Sequence, residues 1–277
     1  MRRVVSLGAN VTAIVEGLGR LDRLVAVTKD CKRLTPAVAG LPVVGDSWSA
    51  EPDELTPLRA DLVIGASPYR SEVVANLIAA RTRFVATAAW GLAELYDDIR
   101  VIGRLLDAIE PAEALIAEME REIEAVRARV AGRARPRVYC EVWMRPVMSS
   151  PKWVYELIDA AGGEPALPAA TTLAPEAVID ADPDIVLMAW CGAIGRSNPR
   201  EFEKRSGYDR LRAVVEGRIV PLRDEYLNAP CQHLLTGLKI LAATLHSEVF
   251  GELPGELQPI GRGGGRGGTH SDGEGPS

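Results

Sequence analysis

Residues 111–131, PAEALIAEMEREIEAVRARVA, form the most regular helical pattern in the chain. Apolar side chains recur at helical spacing between Leu115 and Val130 and make one continuous stripe, and Pro111 suits the first turn of a helix. At 1.5 Å per residue, such a helix is roughly 31 Å long. The pattern fits an ordinary surface helix, and the mid-chain position equally fits a rigid connector between two lobes.

Short apolar runs alternate with helical patterns on both sides of this segment. The strand candidates before it are 4–7, 24–27, 42–44, 62–64 and 84–86, and those after it are 137–142, 185–189 and 218–222. Such alternation is typical of mostly parallel sheets that carry helices on both faces.

An internal repeat relates the two sides of the long helix. PDELTPLRADLVIGAS (52–67) aligns without gaps to PEAVIDADPDIVLMAW (175–190), and both indicate a short helix that leads into a buried strand. We therefore predict an α/β fold of two Rossmann-like lobes with parallel-rich sheets, joined by a single long helix. The predicted boundaries are an amino-terminal lobe at 1–110, the connecting helix at 111–135, a carboxyl-terminal lobe at 136–254 and a disordered Gly-rich tail at 255–277.

Composition narrows the class of protein. The chain has 277 residues, of which 47% are apolar, and a net charge of −6. The apolar fraction excludes disorder of the whole chain, and no apolar run approaches the roughly 18 residues that a membrane span needs. Because Lys and Arg are scattered and the net charge is negative, nucleic acid is not expected as a partner. The sequence predicts a monomer that binds a small molecule and requires no cofactor.

The first residues and the cysteines bear on location. Met1-Arg2-Arg3 runs straight into Val4, with no apolar signal segment, no small-residue cleavage site and no lipobox cysteine. Widely spaced cysteines are typical of free thiols in a reducing compartment, and the four are Cys31, Cys140, Cys191 and Cys231. The sequence as written therefore predicts a cytoplasmic protein, and a periplasmic one if the start is misassigned.

The candidate binding residues follow the predicted strands, because ligands of open parallel sheets bind beyond the carboxyl ends of the strands. Four of the five tryptophans fall there, and an exposed tryptophan is costly unless something covers it. A cleft lined by these rings suits a large, flat, partly apolar ligand; the alternative is that the rings plug the interface between the lobes. The candidates are Asn10, Trp48, Tyr69, Arg70, Trp90, Glu141, Trp143, Arg145, Trp190, Cys191, Tyr226 and Asn228.

Signals for an enzyme are weak. The sequence contains no GxSxG, HExxH, P-loop or GxGxxG motif, and no catalytic residue is predicted. Cys191, Cys231 and His233 are candidates to converge as soft metal ligands near the cleft. Buried thiols and a capping histidine are the alternative interpretation, and we expect a protein that is not an enzyme.

Six segments carry a family resemblance through their order and spacing. They are VVSLGANVTAIVEGLG (4–19), VTKDC (27–31), PDELTPLRADLVIGAS (52–67), YCEVWMRPVMSSPKWVYELIDAAGG (139–163), DADPDIVLMAWCG (180–192) and NAPCQHLLTGLKILAATLH (228–246). Together they resemble the helical-backbone substrate-binding proteins of ABC importers, specifically the vitamin B12-binding branch of the family that also binds iron–siderophores and haem. The similarity extends from residue 1 to about residue 250.

The resemblance implies a function as well as a fold. It implies two lobes on one long helix, a rigid hinge, and cobalamin or a related metal chelate held in the cleft. It also implies docking on an ABC permease through one surface glutamate per lobe, which by alignment are Glu72 and Glu176. The alternatives are a cytoplasmic corrinoid carrier, store or sensor, a chelatase-like enzyme of the same plan, and a scaffold whose tryptophans are interface plugs.

Overall fold

The first lobe is built on a parallel sheet of four short strands. This computed structural model describes residues 3–193 and 197–253, so the predicted tail lies outside the described residues. The strands are β1 (Val4–Ser6), β2 (Leu24–Val27), β3 (Leu62–Ala66) and β4 (Phe84–Thr87), in the order β2-β1-β3-β4. The predicted strand at 42–44 is reduced to a single bridge between Val27 and Val43.

Five helices connect and cover this sheet. They are α1 (Ala9–Gly17), α2 (Lys29–Leu34), α3 (Pro52–Leu55), α4 (Ser71–Ala79) and α5 (Leu92–Leu105). The helix α4 joins two parallel neighbours, β3 and β4, so it begins at the carboxyl edge of the sheet and ends at the amino edge.

The second lobe repeats this plan around a mixed sheet. Its strands are β5 (Arg137–Met144), β6 (Val147–Ser149), β7 (Glu164–Pro165), β8 (Ile185–Met188) and β9 (Ile219–Pro221). The order is β6-β5-β8-β9, with β7 also paired to β5, and β6 is antiparallel to β5 while the other pairs are parallel. After the long helix α6 (Ile109–Val130), the helices are α7 (Lys152–Ala160), α8 (Pro175–Ala181), α9 (Pro199–Glu203), α10 (Arg212–Val215), α11 (Leu234–Leu245) and α12 (Ser247–Phe250).

The long helix α6 contacts both lobes. It packs on α5 and α1 of the first lobe and on α7 and α11 of the second. The predicted apolar stripe is its buried face, which comprises Ala112, Ile116, Met119, Ile123, Val126 and Val130. A Cβ at Gly103 of α5 would lie 2.7 Å from the Cβ of Ala112, so the close approach of α5 and α6 requires a glycine there. The helix is therefore a connector and does not lie on the surface of one lobe.

The core is continuous through this connector. One cluster of buried side chains runs from Val4 and Ile64 of the first sheet through Met119 of α6 to Val138 and Leu187 of the second sheet. Because packed interiors deform little, the two lobes are held in one arrangement. Among residues 3–193 and 197–253, no helix combines the length and apolar character needed to cross a membrane.

Candidate functional site

Two hydrogen bonds join the lobes at helices that begin at the carboxyl edge of the first sheet. The amide of Leu92, at the start of α5, donates to Oε2 of Glu156 in α7 at 2.7 Å. Nε2 of Gln232 donates to the carbonyl oxygen of Ala13 in α1 at 2.6 Å. These contacts hold the two lobes against each other beside the carboxyl edges, where the sequence predicts the cleft.

Three tryptophans stand exposed at these edges. Trp48 is 51% exposed and Trp90 is 55% exposed on the first lobe, and Trp143 is 46% exposed on the second. The indole nitrogen of Trp143 donates to the carbonyl oxygen of Arg145 at 2.9 Å, which fixes the ring on the turn between β5 and β6. Contact between an apolar indole face and water is unfavourable, so a ligand that covers these rings gains binding free energy.

Glu141 and Trp190 lie beneath the cleft edge and not at its surface. Glu141 is fully buried, and Trp190 is only 9% exposed. The two guanidinium nitrogens of Arg205 each donate to a different carboxylate oxygen of Glu141 at 2.7 Å. Nε1 of Trp190 donates to Oε1 at 2.8 Å, and the hydroxyl of Tyr139 donates to Oε2 at 3.0 Å. Both oxygens of Glu141 are thus occupied, so this candidate binding residue does not offer a free carboxylate to a ligand.

Arg205 is the residue of this cluster that sequence reasoning missed. It follows α9 and lies among charged neighbours, and its partner Glu141 is 64 positions away, so no local signal marks it. Its guanidinium carbon lies 5.0 Å from the ring centroid of Phe202 and 5.4 Å from that of Tyr208. Burial, with the Glu141 carboxylate, raises the pKa of Tyr139 well above its usual range. The Arg205–Glu141 pair has no net charge, and its hydrogen bond from Trp190 holds the loop that carries Cys191 in place.

Two further candidates are engaged by the backbone. The hydroxyl of Tyr69 lies 3.0 Å from the carbonyl oxygen of Gly65 and is also hydrogen-bonded to that of Thr87, and burial raises the pKa of Tyr69 to about 12. Nδ2 of Asn228 donates to the carbonyl oxygen of Ala189 at 2.7 Å. These side chains shape the cleft edge more than they offer free polar groups.

The remaining candidates vary in access to the cleft. Asn10 is buried at the start of α1, and Tyr226 is half-buried, with the guanidinium carbon of Arg223 at 5.6 Å from its ring centroid. Arg145 is exposed, and Arg70 is exposed and paired with Glu72 at 3.5 Å. The predicted docking residues Glu72 and Glu176 lie in the first turns of α4 and α8.

The predicted metal trio does not form a cluster. Among the residues that the structure describes, no group of three or more His, Cys, Asp and Glu side chains is placed to hold a metal ion. Cys231 is buried, and burial raises the pKa of its thiol to about 12, while burial lowers the pKa of His233. Cys191 is exposed just after the carboxyl end of β8, and partial loss of hydration raises the pKa of its thiol. Cys191, Cys231 and His233 therefore do not converge on a metal site, and that interpretation is wrong.

A second missed residue, Asp98, supports the Trp90 loop. Burial, the largest cause, raises the pKa of Asp98 to about 6. The negative charges of Asp97 and Glu94 add to the rise, against the backbone amides of Ala89 and Ala88, which donate to the carboxylate and lower the pKa. These two hydrogen bonds fix the loop just before Trp90.

We expect Asp98→Asn to stabilise the protein at neutral pH. Since the folded pKa of about 6 exceeds the ordinary 3.8, stability from this group is complete below pH 4 and is lost as pH rises to 6. A shift of two pKa units corresponds to about 3 kcal/mol, which solvent access reduces to about 1–2 kcal/mol. The measurement is the melting temperature of both proteins from pH 4 to 8. The control Asp209→Asn removes an exposed carboxylate, and its melting temperature relative to the parent should not change with pH. If the melting temperature of Asp98→Asn relative to the parent is equally independent of pH, the expectation is contradicted.

The family match is extensive. The sequence profile of the family described as Periplasmic binding protein matches residues 4–226. This chain belongs to the periplasmic binding protein family. Compared by sequence with curated proteins, it has no significant match. Members of the family are substrate-binding proteins of transport systems rather than enzymes.

Solved structures share the fold over nearly the whole chain. The apo form of the periplasmic haem-binding protein RhuT from Roseiflexus sp. RS-1 is 25% identical, with 90% of this chain and 99% of that chain covered and a TM-score of 0.77. A periplasmic haem-binding protein from Pseudomonas aeruginosa is 22% identical, with 94% and 95% covered and a TM-score of 0.77. The periplasmic vitamin B12-binding protein BtuF of Vibrio cholerae is 19% identical, with 88% and 96% covered and a TM-score of 0.71.

These comparisons confirm two predictions and overturn one. The two-lobe α/β fold is confirmed, and so is the kinship with the binding proteins of ABC importers. The predicted cytoplasmic location is wrong, because the family and its solved members are periplasmic binding proteins, which points to an extracytoplasmic location. The similar structures include proteins that bind haem, vitamin B12 and molybdate, so they differ in ligand.

Proposed function

We propose that this periplasmic binding protein captures cobalamin or a related metal chelate in the cleft and delivers it to an ABC importer. The observation that carries the proposal is the set of three exposed tryptophans, Trp48, Trp90 and Trp143, at the facing edges of the two lobes. Large conjugated or corrin-type rings present flat apolar faces, and indole rings bind such faces by burial and stacking. A small hydrated ion would leave the indoles uncovered.

The fixed arrangement of the two lobes supports a large ligand. The lobes are joined by α6 and by the hydrogen bonds of Glu156 and Gln232, so closure by a large hinge motion would break a continuous core. A cleft that cannot close fully around a small solute is suited to a ligand that already spans it. Arg70 and Arg145 are exposed at the same edges and would orient acidic or carbonyl groups on the rim of the ligand.

Docking on a permease is proposed for Glu72 and Glu176. Both glutamates are exposed in the first turn of a helix. Helix α4 follows β3, and helix α8 leads into β8. A helix that connects parallel strands begins at the carboxyl edge of the sheet, so both first turns lie at the cleft-side ends of their lobes. Charged side chains at the two ends of one face can pair with basic residues of a membrane protein and set its orientation.

The proposal is tested by titrating the protein with cyanocobalamin, haemin and a ferric siderophore. We expect a change in the visible spectrum with one of them, and quenching of tryptophan fluorescence at saturation, because the ring would lie against the exposed indoles. The variant Glu72→Ala/Glu176→Ala should keep this titration and lose uptake in cells that depend on the importer. Unchanged spectra and fluorescence with all three compounds would contradict the proposal.

A further inference from the structure

A second concave site lies at the far end of the first lobe from the cleft. It is a cavity of ≈ 440 Å³ at the amino edge of the sheet, between the end of α3, the end of α4 and the start of β4. Since Glu72 lies in the first turn of α4 and Arg81 follows the last, the cavity and the proposed docking residue are at opposite ends of this helix. Neither the cleft nor the permease contact uses this region.

The walls of the cavity carry an excess of positive charge. Arg59, Arg81 and Arg83 line it together with one acidic residue, Asp61, whose Oδ2 accepts a hydrogen bond from the amide of Arg3 at 3.0 Å. Within the part of the chain that the structure describes, Arg59 and Arg81 have no carboxylate at ion-pair distance. The whole chain has a net charge of −6, so this accumulation runs against its overall charge.

The internal repeat supplies a comparison within the same molecule. Arg59 aligns with Asp182, and both residues follow a helix in the left-handed conformation, with φ of 47° and 38°. Asp182 suits that conformation and is paired with Arg212. Arginine at this point is therefore not demanded by the turn. Nor is it demanded by the negative end of the preceding helix, since an aspartate stands at the same place in the second lobe.

The second lobe also has a cavity at its base, and there the charges are balanced. That cavity, of ≈ 700 Å³, is lined by three arginines, each of which has an acidic partner. The pairs are Arg133 with Glu248, Arg135 with Asp159 and Arg218 with Glu216. Arginines at a lobe base thus normally pair with carboxylates in this protein, which makes the unpaired Arg59 and Arg81 the exception.

The backbone conformation of Arg59 and Arg81 is also unusual for arginine. Arg59 and Arg81 have φ of 47° and 58°, in the region that favours Asn, Asp and Gly. Two long cationic side chains at such positions do not improve local folding. Both residues line one cavity, and neither forms an ion pair with a carboxylate within the described residues, an arrangement that fits an oxyanion ligand.

We propose that this cavity binds a phosphate group, held by Arg59 and Arg81 with Arg83 beside them. Guanidinium groups bind phosphate oxygens through paired hydrogen bonds, so two of them suffice to recognise a tetrahedral oxyanion. The phosphate belongs either to a soluble phosphate compound or to a lipid headgroup. Because the site lies opposite the cleft, its occupation is independent of the cleft ligand.

The test uses the full chain and the double variant Arg59→Asn/Arg81→Asn. Asparagine tolerates the left-handed conformation, so the variant is expected to fold. With the parent protein, sodium phosphate should raise the melting temperature by about 3–5 °C over sodium chloride of equal ionic strength, at ten times the Kd. The double variant should lose this shift, and the control Arg104→Gln/Arg121→Gln, which removes two exposed charges elsewhere, should keep it.

A second arm identifies the source of the phosphate. The proteins are sedimented with vesicles of phosphatidylglycerol or of phosphatidylcholine alone. Co-sedimentation of the parent and the control with phosphatidylglycerol, lost in the double variant, supports a lipid headgroup; a phosphate shift without co-sedimentation supports a soluble compound. If the double variant behaves as the parent in both arms, or if phosphate acts no differently from chloride, the proposal is overturned.

Discussion

Arg205→Met is expected to be the most destabilising substitution of a charged residue in the second lobe. It removes both hydrogen bonds at 2.7 Å to Glu141 and leaves a fully buried carboxylate without its counter-charge. Breaking a buried ion pair in this way costs about 3–5 kcal/mol, which lowers the melting temperature of a chain of this size by roughly 10 °C. Methionine retains much of the packing volume against Phe202 and Tyr208, so the loss reports mainly on the charge.

Two companion variants make this expectation specific. In the Arg205→Met background, Glu141→Gln removes the unpaired charge. The amide oxygen can still accept from Trp190, and the amide NH2 can donate to the hydroxyl of Tyr139, so part of the stability should return. Arg100→Met breaks exposed pairs with Glu113 and Asp97 and should cost less than about 1 kcal/mol. Equal losses for Arg205→Met and Arg100→Met, measured by chemical denaturation, would show that the buried pair has no special weight.

Trp143→Ala is expected to lower ligand affinity about thirty-fold with little change in stability. Its ring is nearly half exposed at the cleft edge, and removal of an aromatic side chain at the centre of a binding site commonly costs about 2 kcal/mol or more. The measurement is a fluorescence or absorbance titration with whichever chelate binds the parent protein, together with a melting curve.

Trp190→Ala is the matched contrast, and here the structure revises the sequence-based interpretation. The sequence placed Trp190 beside Trp143 as a stacking residue, but its buried ring donates to Glu141. Its removal should cost about 3–5 kcal/mol of stability, as for other large buried rings. Unchanged affinity in Trp143→Ala would mean that the exposed indoles do not form the binding surface.

The chain sequence by itself determined the architecture. The spacing of apolar residues in 111–131 predicted α6 to within two residues at each end, since the stripe that faces a core recurs with the helical period whatever it packs against. The alternation of strands and helices and the repeat at 52–67 and 175–190 likewise predicted two α/β lobes. The strand ends also located the edge at which Trp48, Trp90 and Trp143 stand exposed.

Only the tertiary structure decided which side chains at that edge are free. Glu141 pairs with Arg205, which lies 64 residues further along the chain, and Trp190 donates to the same carboxylate. The hydrogen bond from Leu92 to Glu156 likewise joins groups 64 residues apart. Periodicity records which face of an element is apolar, because that is a local property. Charge pairing and burial arise from contacts between distant segments, and no local pattern encodes them.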